Sequence, residues 1–122
     1  MQFQIQSSSY GPIGIAALSG RLDAANSYQL RRQFDRCLRT TGKFVFDCQD
    51  LNFIDSSGLG ALVTCLRKAF DAAGDIRLAG VAPKVRLVFE LTQAEKLFTF
   101  FTNTDQALAS FNDRSIKLEA TS

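Results

Sequence analysis

Phe3 and Ile5 alternate with Gln2, Gln4 and Gln6, the period-2 pattern of a strand buried on one face. Residues 7–12 are rich in turn formers, and a short apolar run at 13–18 follows, so the two strands read as a hairpin. Gly20 and Asp23 interrupt the pattern, and Asp23 is placed to cap a helix. In that helix Leu30, Phe34, Cys37 and Leu38 fall at helical spacing, and Thr41 with Gly42 ends it. Phe44, Val45 and Phe46 are continuously apolar, as in a strand covered on both faces. Residues 47–52 read as a polar connection, and Phe53 and Ile54 resume apolar character.

A second helix is predicted from Ser56 or Ser57, either of which suits the N-cap. Leu59, Leu62, Val63, Leu66, Phe70 and Ala73 form its apolar stripe, and Gly74 ends it. A strand at 75–79 follows, then a helix opened by Pro83 with Val85, Val88 and Leu91 turned inward. Residues 97–101 give a last strand with Phe98 and Phe100 on one face. Asn103 and Gln106 resemble a capping box for a final short helix that includes Ala107, Leu108 and Phe111. The order β-β-α-β-α-β-α-β-α predicts an α/β fold, one mixed sheet with a leading β-hairpin packed against about four helices. Its 122 residues suit a single domain, with a core over 1–111 and a polar tail at 112–122.

Composition narrows the chemistry. There is no histidine, which removes Ser-His-Asp and Cys-His catalysis and His-containing zinc sites. Fourteen basic residues against twelve acidic ones leave a net charge of +2, too small a bias to argue for nucleic acid or an anionic membrane. Arg31, Arg32, Arg36 and Arg39 lie mainly off the first helix's apolar stripe, on a face that suits either phosphates or solvent. Cys37, Cys48 and Cys65 are odd in number and contain no C-x-x-C, so they read as reduced thiols of a cytoplasmic protein. The first residues lack the basic head and apolar stretch of a signal peptide, and no apolar run reaches membrane-spanning length. No cofactor motif is present. Gly58 and Gly60 are followed by Val63 where a dinucleotide loop needs Gly or Ala, and neither a P-loop nor a G-x-S-x-G elbow occurs. A non-enzymatic binding or regulatory module is expected.

The segment from Leu51 to Val63 carries the distinctive chemistry. Asp55, Ser56, Ser57, Gly58, Leu59 and Gly60 stand where an apolar stretch gives way to a helix. One serine is explained by capping. The second serine and Gly60, which costs up to about 1 kcal/mol inside a helix, ask for more. Close approach of another surface explains such glycines, either an element of the same fold or a partner protein. An exposed hydroxyl at a helix start suits a phosphate acceptor, because the added dianion meets the positive end of the helix.

Phe53-Ile54-Asp55-Ser56-Ser57-Gly58-Leu59-Gly60 resembles the phosphorylation motif of the STAS-domain anti-sigma factor antagonists. Leu18-Ser19-Gly20-Arg21-Leu22-Asp23 and Ala79-Gly80-Val81-Ala82-Pro83-Lys84-Val85 resemble the same family. The resemblance spans residues 13–108. It implies the STAS fold and partner switching: the unphosphorylated chain binds an anti-sigma factor that is a GHKL-type serine kinase using ATP, which frees the sigma factor. Phosphorylation of Ser56, the residue after the motif Asp, ends binding, and a PP2C-type phosphatase restores it. Ser57 is the alternative acceptor. Asp23, Asp55, Ser56, Ser57, Gly58, Leu59 and Gly60 are the implied partner-binding set, with the two carboxylates either positioning the hydroxyl, the kinase or its metal, or serving as caps and turn bonds. Arg21 stands where the family commonly has an acidic residue. Alternatives from other classes are a STAS scaffold or sensory module in another phospho-signalling assembly, and a small nucleotide-binding protein.

Overall fold

The computed structural model describes residues 1–9 and 11–112; the expected tail, apart from Asn112, lies outside them. Strands β1 (Gln2–Gln6) and β2 (Ile13–Leu22) form the antiparallel hairpin, with Phe3 opposite Ala16 and Ile5 opposite Gly14. Helix α1 (Ser27–Leu38), strand β3 (Lys43–Ile54), helix α2 (Ser56–Asp71), strand β4 (Asp75–Ala79) and helix α3 (Pro83–Leu91) follow. A 3-10 turn (Ala94–Lys96), strand β5 (Thr99–Phe101) and helix α4 (Thr104–Asn112) complete the chain. The sheet order is β1-β2-β3-β4-β5, with every pair after the hairpin parallel. Among the described residues no helix is long and apolar enough to cross a membrane.

Alternation along β3 divides the core. Phe44 and Phe46 face α1, α2 and α3, where they pack with Leu30, Phe34, Leu62, Leu66, Ile76 and Phe89. Phe34 and Phe44 rings lie 4.4 Å apart, and Phe46 meets Phe44 edge-on at 6.3 Å. Val45 points the other way, onto a smaller cluster with Ile13, Ala79 and Ala107 that is covered by α4. Arg77 pins α4 from below: its guanidinium lies 3.9 Å over the Phe111 ring and donates to Ser110 Oγ at 2.6 Å. Asn103 caps the same helix by accepting from the Gln106 N–H at 2.9 Å.

Several boundaries differ from the pattern reading, each for a physical reason. Residues 47–52 are strand, not connection: the stretch pairs with β2 and buries Cys48 and Leu51 in the core while exposing Gln49, Asp50 and Asn52. β2 likewise extends to Leu22, accommodated by register shifts between Ala17 and Ser19 and between Gly20 and Arg21. Asp23 is not the cap of α1. Asn26 holds that position without a side-chain bond, and Asp23 instead accepts from Ala25 N–H in a tight turn before the helix. The inward residue at the end of α3 is Phe89, one turn beyond Val85, and Leu91 is 74% exposed. Phe70 is also largely exposed, and α2 instead buries Ala61, Cys65 and Ala69 alongside Leu59, Leu62 and Leu66.

The end of α2 separates two tasks that sequence assigned to one glycine. Ala73 takes the left-handed conformation, at φ 59°, and Gly74 N–H donates to Ala69 O. Gly74 is needed because a Cβ there would sit 1.8 Å from the Gly42 carbonyl oxygen. Ala73→Gly is expected to raise stability by about 1 kcal/mol by removing left-handed strain. Gly74→Ala is expected to lower it by more than that, both read as shifts in the denaturant midpoint.

Burial pushes the Cys48 and Cys65 thiols from the usual 9.0 up to about 12, with Asp47 and Asp35 respectively adding to the shift. Their folded pKa values lie above the unfolded ones, so the unfolded chain releases these protons first as pH rises. Stability conferred by the buried neutral thiols is full below pH 9 and is expected to fall between 9 and about 12. Chemical denaturation across that range checks this, and Cys48→Ala should flatten the decline.

Candidate functional site

The site forms where the carboxyl ends of β2 and β3 lie side by side, Leu22 opposite Ile54. Asp55 leaves the sheet in extended geometry, with φ −112° and ψ −173°, and its N–H still donates to Leu22 O at 3.3 Å. Helix α2 starts at the next residue. Its cap is Asp55, not a serine: Asp55 Oδ1 accepts from Gly58 N–H at 2.9 Å, satisfying one of the open amides of the first turn. The substitution of Asp for Ser in this role follows from register, since the strand delivers Asp55 to the last non-helical position.

Both serines are thereby released from capping. Ser56 and Ser57 occupy the first two helical positions, both are exposed, and neither hydroxyl makes a hydrogen bond among the described residues. No acidic side chain lies in the first turn itself. The open amide dipoles of the turn therefore face an outward pair of hydroxyls with one carboxylate, Asp55, beside them.

The two glycines do different work. A Cβ on Gly58 would lie 2.2 Å from the Leu22 carbonyl oxygen, so this glycine lets α2 press onto the end of β2. A Cβ on Gly60 would meet nothing within 4 Å. Gly60 is exposed, and its carbonyl accepts from Thr64 Oγ1 at 2.9 Å. The expected surface of Gly58, Leu59 and Gly60 is thus corrected: Gly58 is buried, Leu59 is 7% exposed and belongs to the core, and only Gly60 faces outward.

Asp23 lies on the neighbouring β2–α1 turn, engaged by its own loop. Its carboxylate accepts from Ala25 N–H at 3.0 Å and pairs with Arg21 Nε at 3.2 Å. Asn26 closes the turn, accepting from Asp23 N–H at 2.9 Å and donating to Arg21 O at 2.6 Å. Arg21 also stacks over Phe53 at 3.9 Å. Phe53, which the sequence placed at the head of the motif, is 38% exposed; its contact with Arg21 was not legible, because the two residues come from different strands. Its alternation with buried Ile54 was the available signal.

The sequence matches the STAS domain over residues 4–107. The chain belongs to the STAS-domain family. A curated relative, the anti-sigma F factor antagonist of Paenibacillus polymyxa, is 28% identical over 110 residues, spanning 88% of this chain and 94% of the relative. The fold is that of SpoIIAA, an anti-sigma factor antagonist solved in its unphosphorylated form. That match has a TM-score of 0.76 and 22% identity, and covers 91% of this chain and 96% of the other. The phosphorylated form of SpoIIAA, described as a Bacillus cell-fate determinant, gives 0.68 at 21% identity, with 90% and 99% coverage. On this STAS scaffold the helix start that follows β3 presents the exposed hydroxyls of Ser56 and Ser57.

The division between the glycines gives a stability prediction. Gly58→Ala is expected to destabilise by more than about 2 kcal/mol, since helix and strand must part to admit the methyl group. Gly60→Ala is expected to be neutral or to stabilise by up to about 1 kcal/mol. Urea denaturation of the two variants separates the roles.

Proposed function

We infer that this chain is an anti-sigma factor antagonist whose docking is switched by phosphorylation of Ser56. In its unphosphorylated form it binds an anti-sigma factor serine kinase and so releases the sigma factor. The kinase, of the GHKL type and using ATP, phosphorylates Ser56, and a PP2C-type phosphatase reverses the modification. The chain acts as ligand and substrate with no turnover of its own. The relationship to the Paenibacillus antagonist and to SpoIIAA, which exists in both phosphorylation states, supports this reading.

The observation that carries it is the free Ser56 hydroxyl at the first position of α2, available because Asp55 does the capping. A phosphate there adds about −1.5 to −2 charges. Within the protein the change is mild. The helix dipole favours the dianion by about 0.3–1 kcal/mol, and repulsion from Asp55 in water offsets part of that. A partner lying on the same corner faces a different balance. Covering the dianion without a matching cation costs several kcal/mol, and about 1.4 kcal/mol is already tenfold in affinity. Gly60, flush with the surface, allows a partner backbone to come close.

Incubation with the GHKL-type anti-sigma kinases encoded in the same genome, with ATP, followed by phosphosite mass spectrometry, tests the reading. Modification at Ser56 is expected. Ser56→Ala should retain kinase binding, whereas Ser56→Asp should keep its melting temperature and lose affinity about a hundredfold or more. Equal affinities for the two variants would sink the switch. Exclusive modification of Ser57 would move the acceptor by one residue.

A further inference from the structure

The arginines of α1 take no part in the site at the tip of α2. Arg31, Arg32, Arg36 and Arg39 are all exposed, and none has an ion pair among the described residues. The helix's one acidic residue, Asp35, is committed to Lys68 of α2 at 2.9 Å. Charge thus accumulates on this helix although the chain as a whole carries only +2.

Beside that helix runs β1, the first strand in the sheet order, with one backbone edge unpaired among the described residues. Between them lies an open groove of about 420 Å³. Phe3, which meets Phe46 edge-on at 6.0 Å, lines it from the strand side. Tyr28, Arg32, Gln33, Arg36 and Cys37 line it from the helix side. Tyr28 is 63% exposed, with the Arg32 guanidinium 5.8 Å from its ring centre.

We propose that this groove receives an extended acidic polypeptide segment of a partner protein, added as a strand along β1 with its carboxylates on Arg32 and Arg36. The open edge supplies the backbone donors and acceptors that strand addition uses. Phe3 and Tyr28 supply apolar contact, and the unpaired guanidinium forks suit carboxylates bidentately. A second copy of this chain is disfavoured as occupant. Antiparallel pairing through β1 would set two α1 helices side by side, each with three arginines and Arg39 at its C-cap, none of them ion-paired among the described residues. The inference stands apart from the Ser56 reading, because it uses another edge of the molecule and another helix.

The test is fluorescence anisotropy of the full chain with a short labelled peptide alternating Glu and Thr, and with its Lys-for-Glu counterpart. Saturable binding of the Glu peptide is expected, weakening with salt, absent for the Lys peptide and unchanged in Ser56→Asp. Arg32→Gln/Arg36→Gln should weaken it about tenfold or more. Both residues are exposed, so an unchanged melting temperature is expected, with Arg32→Gln alone as the milder check. Binding should also slow amide exchange in residues 2–6 and alkylation of Cys37, the one cysteine that is not buried. Absence of saturable binding, indifference to the arginine substitutions, or tighter binding of a single-stranded oligonucleotide would each overturn the proposal. So would dimerisation through this face.

Discussion

The hydrogen bond from Gly58 N–H to the Asp55 carboxylate settles how every other residue of the α2 start is used. A helix needs some group to accept its first amides, and a Ser-Ser pair at the boundary would ordinarily supply it. Here β3 ends one residue early enough for Asp55 to take the position. The bond is worth about 1 kcal/mol to the helix. Its larger effect is positional: it fixes the first turn against Leu22 O, where Gly58 leaves no gap, and turns both hydroxyls outward. Rigidity beneath and freedom above come from the same contact.

Much of this architecture is written in the alternation of side chains. Strand order, helix order and the two-sided burial of Phe44, Val45 and Phe46 follow from periodicity and length, since those residues face covering elements on both sides. Reading failed where polar residues share a strand with core ones and where a helix stripe was drawn a fraction of a turn off. Residues 47–52 are mostly polar yet paired, with Cys48 and Leu51 as the buried members between exposed Gln49, Asp50 and Asn52. Leu91 and Phe70 read as core and are exposed, because the buried stripes run through Val85 and Phe89 on α3 and through Cys65, Leu66 and Ala69 on α2. Ala73 in the left-handed region, with Gly74 beside it, shows a close approach to Gly42 outweighing conformational preference.

The site was legible as a motif and illegible as a mechanism. D-S-S-G-L-G identifies the corner, but it cannot say which hydroxyl-bearing or acidic residue caps the helix, since Ser and Asp are equally good caps. Nor can it say that one glycine faces inward and the other outward. Those assignments need the position of Leu22, thirty-six residues before Gly58 in the chain and in contact with it only in the fold. The Arg21–Asp23–Phe53 cluster escaped for the same reason: its members come from two strands and a turn.

A regulatory charge must be almost neutral toward its own fold and strongly unfavourable toward one assembly. The α2 start meets the first condition because Ser56 is solvated, lies at the positive end of a helix and has no internal bond to break. The second condition would be met by a partner that removes water from that same oxygen, since an interaction of under 1 kcal/mol in water grows severalfold once a site is dry. A hydroxyl placed one turn further along α2 would lack the dipole, and one committed to capping would destabilise the helix when modified. In the switch proposed for this chain, the separation of capping from modification, Asp55 for one and Ser56 for the other, would let a single side chain change affinity without changing the structure that presents it.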